Sequence, residues 1–83
     1  MKEPLGNLRW GGSVMSQGLL TKRERQVFDL LIKNKTTKEI ALELNISEKT
    51  VRNHISNVMQ KLEVKTRYQA VIELLKIGEL KLN

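Results

Sequence analysis

The sequence predicts an all-α domain, and three observations lead to that prediction. From Leu19 to Ile77 the chain contains neither Gly nor Pro, the two residues that most often interrupt helices. Aromatic residues make up 4% of the chain, which argues against a β-rich domain with turns every ~8–12 residues. In four successive segments the apolar side chains recur at steps of three and four, the spacing of one helix face.

Composition narrows the classes to which the chain can belong. Its 83 residues are enough for one small domain, and they carry a net charge of +6. Excess positive charge indicates an anionic partner, of which nucleic acid is the commonest. The chain has no Cys and a single His, so we expect no disulfide, no metal site and no cofactor. No apolar run reaches the ~18–20 residues of a membrane span and no secretion signal is evident, so we expect a cytoplasmic protein without a membrane partner.

The N-terminal segment differs in composition from the rest of the chain. Residues 1–18 are rich in Gly and show no apolar period, which predicts a flexible arm. The run Gly11-Gly12-Ser13 in this arm fits a native linker or a remnant of expression equally well. We therefore expect one folded domain, over residues 19–83.

Two capping boxes predict where the first two helices begin. In Thr21-Lys22-Arg23-Glu24 and in Thr36-Thr37-Lys38-Glu39, a Thr and a Glu three residues later each accept a hydrogen bond from the other's backbone amide. Asn34 and Asn45 are the expected ends, because Asn tolerates the left-handed conformation of helix C-termini. The apolar faces comprise Val27, Phe28, Leu31 and Ile32 in the first helix and Ile40, Ala41 and Leu44 in the second.

The third predicted helix begins after Ser47 and has two distinct faces. Its apolar stripe is formed by Val51, Ile55, Val58, Met59 and Leu62. The opposite face is polar, basic and rich in amides, and it comprises Lys49, Arg52, Asn53, Ser56, Asn57 and Gln60. His54 lies beside the stripe, where we expect a half-buried structural histidine or a phosphate contact.

The fourth predicted helix begins after Thr66 and ends at Gly78. Ala70, Leu74 and Ile77 lie together on its core side. Further apolar residues widen the arc to roughly 200°, well beyond the ~100° that one core contact requires; they are Tyr68, Val71, Ile72 and Leu75. A surface of this kind usually marks an interface, although the N-terminal arm, with Trp10, could cover it instead.

Helices two and three are joined only by Asn45-Ile46-Ser47, which is the arrangement of a helix-turn-helix. A helix fits the major groove of DNA, where an Arg such as Arg52 can donate two hydrogen bonds to guanine O6 and N7. Asn53 or Asn57 can bond adenine N6 and N7, and Ser56 is small enough to permit close approach.

The excess positive charge is concentrated around this unit. Residues 33–38 carry a net charge of +3 and residues 47–67 carry another +3, whereas residues 39–46 carry −2 and residues 68–83 are neutral. The charge of residues 47–67 is the balance of Lys49, Arg52, Lys61, Lys65 and Arg67 against Glu48 and Glu63. This distribution favours phosphate contacts at the start of helix two and around helix three.

Four stretches of the chain resemble, in the same order, a known bacterial family. They are LTKRERQV in the first helix, KEIALELNIS in the second, KTVRNHISNVMQKL in the third, and VKTRYQAV at the start of the fourth. Together they look like the LuxR-type, four-helix DNA-binding domain of bacterial transcription factors, over about residues 19–80. Within that family the chain is most similar to a small stand-alone regulator of late sporulation.

The resemblance implies a function and a role for individual residues. It implies a homodimeric, sequence-specific transcription regulator, acting on late sporulation genes such as spore coat genes and working with RNA polymerase at the nucleoid. The implied base-reading residues are Arg52, Asn53 and Ser56, and the implied DNA backbone contacts are Lys35, Thr37, Lys38, Lys49, Thr50 and Asn57. The fourth helix is the implied dimer element, with Tyr68, Ile72 and Leu75 as interface residues. The resemblance implies an activator, but the residues themselves do not separate activation from repression.

Several alternatives remain open at this point. The chain could be the DNA-binding end of a longer response regulator, or a helical protein-interaction module that ignores DNA. Arg67 fits an internal salt bridge as well as a DNA contact. An enzyme is the weakest interpretation, because no pair of side chains is suited to acid–base or nucleophilic chemistry.

Overall fold

The computed structural model describes residues 19–82, which form four α-helices and contain no β-strand. The helices are α1 (Lys22–Ile32), α2 (Thr37–Leu44), α3 (Glu48–Leu62) and α4 (Arg67–Lys76). The predicted all-α class and the order of the helices are therefore confirmed. The predicted arm, with Trp10, lies outside the described residues. Within residues 19–82, no helix is long and apolar enough to cross a membrane.

Each of these four helices begins with a hydroxyl side chain that accepts a hydrogen bond from a backbone amide of the first turn. Thr21 Oγ1 accepts from Glu24 N at 3.1 Å, and Glu24 Oε1 accepts from Thr21 N at 2.9 Å. The same reciprocal pair joins Thr36 and Glu39. Both predicted capping boxes are thus confirmed. The other two N-caps are Ser47 for α3 and Thr66 for α4.

Within residues 19–82, each helix ends at a residue with a positive φ angle. These residues are Asn34 (67°), Asn45 (59°), Glu63 (57°) and Gly78 (81°). After α3, Glu63 N donates to Gln60 O at 3.2 Å and Val64 N donates to Met59 O at 3.1 Å, the two bonds of a Schellman motif. The ends at Asn34, Asn45 and Gly78 were predicted. The end at Glu63 was not, because Glu has no particular tolerance for the left-handed region.

The core lies around α3, which packs against the other three helices. The predicted stripe is confirmed: Val51, Ile55 and Val58 are buried, whereas Met59 and Leu62 are half-buried at its edge. These side chains meet fully buried residues of the neighbouring helices, namely Val27 and Phe28 of α1, Ile40 of α2, and Ala70 and Leu74 of α4. Burial of this one face fixes the rotation of α3 about its axis, so its opposite face must point to solvent.

The prediction is wrong for one core residue. Ile77 was expected beside Leu74, but it is 46% exposed. Ile77 keeps the helical spacing, since its amide donates to Glu73 O at 3.1 Å, but it is the last residue before the chain turns at Gly78. Leu80 is buried instead, and its amide donates to Leu74 O at 3.2 Å.

Two ion pairs link distant parts of the chain. Glu24, which is 3% exposed, accepts from Lys61 Nζ of α3 at 2.5 Å, and the same Nζ donates to Leu19 O at 3.0 Å. Arg25 pairs with the buried carboxylate of Glu79 and donates to Glu79 O at 2.5 Å. The first pair ties α1 to the C-terminal half of α3. The second holds the segment after α4 against α1.

The environment of Glu24 lowers the pKa of its carboxyl group. Burial by itself raises this pKa, but the hydrogen bonds from Lys61 and from the Thr21 amide, together with the charge of Lys61, outweigh burial. Glu24 therefore stays ionised in the folded protein at a pH where an unfolded chain has already begun to take up the proton.

The unusual conformation of Glu63 predicts that a glycine here stabilises the protein. Glu63→Gly removes the steric cost of the left-handed region, roughly 1–2 kcal/mol, and adds the backbone entropy of Gly, roughly 0.5–1 kcal/mol. We expect a net gain of about 0.5–1 kcal/mol, measured by urea unfolding. Gly78→Ala is the matched control: its new Cβ meets no atom within 4 Å, so the measured change is the steric cost of the positive φ less the backbone entropy that Ala saves. A destabilised Glu63→Gly would contradict this explanation.

The Glu24–Lys61 pair predicts how the free energy of unfolding depends on pH in the acidic range. Because the native pKa of Glu24 is lowered, its contribution to stability is complete above the ordinary pKa of a glutamate, and it is lost as the pH falls from that ordinary value through the lower native one. Glu24→Gln keeps a capping acceptor but removes the charge. We expect it to cost about 1–2 kcal/mol at pH 7 and to make unfolding free energy less sensitive to pH in that window. Equal pH slopes for the two proteins would refute the proposed linkage.

Candidate nucleic-acid interface

The solvent-facing side of α3 carries the residues predicted to read DNA bases. Arg52, Asn53 and Ser56 are all exposed, on the side of the helix opposite the buried stripe. The neighbouring Lys49, Asn57 and Gln60 are exposed as well. One turn of helix therefore presents a guanidinium, an amide and a hydroxyl next to each other, which is a set of donors and acceptors suited to base edges.

A rigid three-residue turn sets the angle between α2 and α3. Asn45 adopts the left-handed conformation, and Ile46 N donates to Ala41 O at 3.0 Å. The Ile46 side chain packs against the core, and Ser47 Oγ then accepts from Thr50 N at 3.0 Å to start α3. The turn thus has its own hydrogen bonds and apolar anchor, so the helix-turn-helix is held as a unit.

The start of α2 provides a second basic surface. Lys35 and Lys38 are exposed, and within residues 19–82 neither forms an ion pair within 4 Å. The nearby carboxyl group of Glu39 has a lowered pKa, chiefly because it accepts a hydrogen bond from the Thr36 amide at 2.8 Å. Glu39 is therefore committed to the cap, and the two lysines remain available to an anion.

Two of the residues predicted to contact the DNA backbone have side chains that are only partly accessible. Thr37 is half-buried, at the first position of α2. Thr50 is half-buried, and its Oγ1 lies 2.9 Å from Ser47 Oγ in a hydrogen bond within the first turn of α3. Each hydroxyl can form a further hydrogen bond, because a hydroxyl both donates and accepts. The side chain of His54 is half-buried, as the sequence predicted for a structural histidine.

The structure reduces the basic charge that was assigned to α3. Lys61 counted toward the excess of residues 47–67, but its ammonium group is bound by Glu24 and by Leu19 O. The capping box predicted only the local role of Glu24, so its pairing with Lys61, 37 positions away, was missed. Without Lys61, the positive charge of residues 47–67 comes from Lys49, Arg52, Lys65 and Arg67. Among these, Arg52 has an acidic neighbour: its Nη1 lies 3.7 Å from Glu48 Oε1.

A separate apolar surface lies on α4. Tyr68 is 76% exposed and Ile72 is 51% exposed. With α1 they border a groove of about 260 Å³, which is lined by Leu31, Ile32, Arg67, Tyr68, Val71 and Ile72. Leu75 is half-buried against the core and does not line this groove. Arg67 forms no ion pair among the described residues, so the internal salt bridge considered for it is absent from that part of the chain.

Comparison with known proteins gives the family. A family model described as bacterial regulatory proteins of the luxR family matches residues 18–74. The spore germination protein GerE of Bacillus subtilis is 75% identical over 67 residues, which are 81% of this chain and 90% of that protein. The solved structure of a transcription factor named GerE superposes with a TM-score of 0.77 and 59% identity, over 80% of this chain and 98% of that one.

Longer regulators contain a similar segment. The transcriptional regulatory protein DesR of Bacillus subtilis is 54% identical over 52 residues, which are 63% of this chain but 26% of DesR. LiaR of the same organism is 44% identical over 69 residues, 82% of this chain and 33% of LiaR. With the helix-turn-helix geometry described above, these matches show that the chain belongs to the luxR family of bacterial regulatory proteins and is a DNA-binding transcription regulator.

Proposed function

We propose that this protein binds specific DNA sites as a homodimer, with α3 in the major groove, and controls genes of late sporulation, including spore coat genes. The observation that supports the mode of binding is the two-sided character of α3, apolar and buried on one side and basic and exposed on the other. The similarity to a spore germination protein, over 90% of that protein's length, supports the biological role.

In this proposal the exposed face of α3 reads sequence. Arg52 donates two hydrogen bonds to guanine O6 and N7, a contact that distinguishes guanine from other bases in the major groove. Asn53 pairs with the N6 and N7 edge of adenine. Ser56 lies one turn further along, where its small side chain lets the helix approach the groove closely.

A second set of residues holds the DNA backbone without reading its sequence. These are Lys35, Thr37, Lys38, Lys49, Thr50 and Asn57, at the start of α2 and along α3. Their lysines replace cations condensed on the DNA, so binding weakens steeply as salt concentration rises. Phosphate contacts from both helices fix the register at which Arg52 and Asn53 meet the bases.

Dimerisation is proposed to occur through α4. Tyr68 and Ile72 expose apolar surface beside a groove, and a two-fold dimer would bury both copies of that surface. Leu75 is proposed at the margin of this interface, because it is half-buried already. Two α3 helices related by a two-fold axis would then contact two half-sites on one face of the duplex.

The proposal extends to the cellular context of the protein. A regulator of this kind acts at the nucleoid in the cytoplasm, contacts RNA polymerase, and has no enzymatic activity of its own. The DNA-binding end of a longer response regulator is the second candidate, because the chain matches about a quarter to a third of several longer regulators. The genomic reading frame distinguishes the two.

Replacing Arg52 tests base reading. Arg52→Ala should lose preference at one position of each half-site, at about 1–3 kcal/mol, while the rest of the recognised sequence is retained. The measurement is selection from random duplex DNA, followed by sequencing of the bound pool for both proteins.

Arg23→Ala is the control for that experiment, since Arg23 is an exposed arginine on α1. It should change affinity slightly and leave base preference unchanged. Identical sequence preferences for the parent protein and Arg52→Ala would remove Arg52 from the base-reading set.

Replacing Ile72 tests the interface. Ile72→Glu places a charge in the proposed apolar contact twice per dimer, so we expect self-association to weaken on the order of tenfold or more. Sedimentation equilibrium measures it. Leu42→Glu is the matched control, because Leu42 of α2 is 74% exposed and lies on another helix. Equal effects of the two substitutions, or none from Ile72→Glu, would place the dimer contact elsewhere.

A further inference from the structure

Glu48 is an acidic residue at the first position of the helix proposed to read DNA. It lies one turn before Arg52, and its Oε1 is 3.7 Å from Arg52 Nη1. Both side chains are about half exposed, at 48% for Glu48 and 57% for Arg52. Capping uses Ser47 rather than Glu48, because Ser47 Oγ accepts from the Thr50 amide. Within residues 19–82, the carboxylate of Glu48 thus accepts no hydrogen bond, and its ion-pair partner is Arg52.

An exposed arginine next to DNA can bind in two ways. It can donate to phosphate oxygens on any sequence, or it can donate to the edge of guanine. A guanidinium has five N–H donors, and a bidentate guanine contact uses two of them. Arg52 can therefore bind guanine and keep its contact with Glu48. A phosphate bound by the same guanidinium would be a second anion beside the Glu48 carboxylate and would be repelled by it, whereas the edge of guanine carries no formal charge.

We propose that Glu48 is a positioning residue that determines specificity by holding the Arg52 guanidinium toward base edges and away from phosphates. This rests on the proposed base-reading role of Arg52. The order of the pair supports it, because a Glu four residues before a basic residue has the favourable orientation for an ion pair on a helix. The acidic group is thus part of the reading surface, although it repels the DNA backbone.

A purely structural role for Glu48 makes different predictions. A negative charge in the first turn stabilises a helix through its dipole, wherever the side chain points. Glu48→Asp keeps that charge but shortens the side chain by one methylene, so it retains the dipole effect and loses reach toward Arg52. Glu48→Gln removes the charge and keeps the length. Glu43→Gln, at an exposed carboxylate of α2, controls for the change in net charge.

The test compares binding of each variant to a duplex recovered by selection and to a random duplex of equal length, at one salt concentration. A side-chain pair of this kind changes the ratio of the two affinities about twofold per recognition helix, or about fourfold for a dimer on two half-sites. We expect Glu48→Gln and Glu48→Asp to lower the ratio by this amount, with the lost preference at the base position that Arg52→Ala relaxes. Glu43→Gln should leave the ratio unchanged.

The double variant shows whether Glu48 acts through Arg52. In the Arg52→Ala background, Glu48→Gln should not change the ratio further, because there is no guanidinium left to position. A further fall of the affinity ratio in the Arg52→Ala background would overturn the inference. So would a ratio for Glu48→Asp equal to that of the parent protein, because the charge of residue 48 alone would then explain the effect. If Arg52→Ala itself keeps the parent's base preference, the proposed reading role fails first. If only the Glu48 variants behave like the parent, the reading role stands and this inference fails.

Discussion

Burial of one face of α3 is the constraint on which the rest of the structure depends. Val51, Ile55 and Val58 are enclosed by fully buried side chains of the other three helices, and this fixes the rotation of α3 about its axis. A rotation of even one residue, about 100°, would bring a polar side chain into the core without a partner. The exposed position of Arg52 and Asn53 is thus a consequence of core packing.

The ends of α3 reinforce that constraint in different ways. At its start, the hydrogen-bonded turn through Asn45 and Ile46 joins it to α2, so the two basic surfaces keep a fixed relation. Near its end, the Glu24–Lys61 pair ties it to α1 and uses a positive charge that would otherwise strengthen binding to any DNA. Lys49 and Arg52 therefore supply the positive charge on the exposed face of α3, and the acidic Glu48 lies beside Arg52.

Local signals in the sequence predicted most of the fold. Helix starts were predictable because Thr and Ser caps act within three residues, and three helix ends were predictable because Asn and Gly tolerate a positive φ angle. The end at Glu63 was not, since tertiary packing of α3 and α4 sets it rather than residue preference. Ile77 was misplaced because the chain turns at Gly78 and brings Leu80, rather than Ile77, into the core. The Glu24–Lys61 pair joins residues far apart in sequence, so it could not be predicted from local spacing. The face holding Arg52 was predicted, and its contact with Glu48 could have been, because the two residues are four positions apart on one helix.

The central claim is that the exposed face of α3, together with the start of α2, is the surface that meets DNA. The most direct measurement is a ¹⁵N–¹H NMR titration of the protein with a duplex recovered by selection, followed residue by residue. We expect the largest changes in chemical shift at Lys49, Arg52, Asn53 and Ser56 and at the first turn of α2, with small changes at buried Val58. Largest changes along the exposed side of α4, with α3 unaffected, would contradict it.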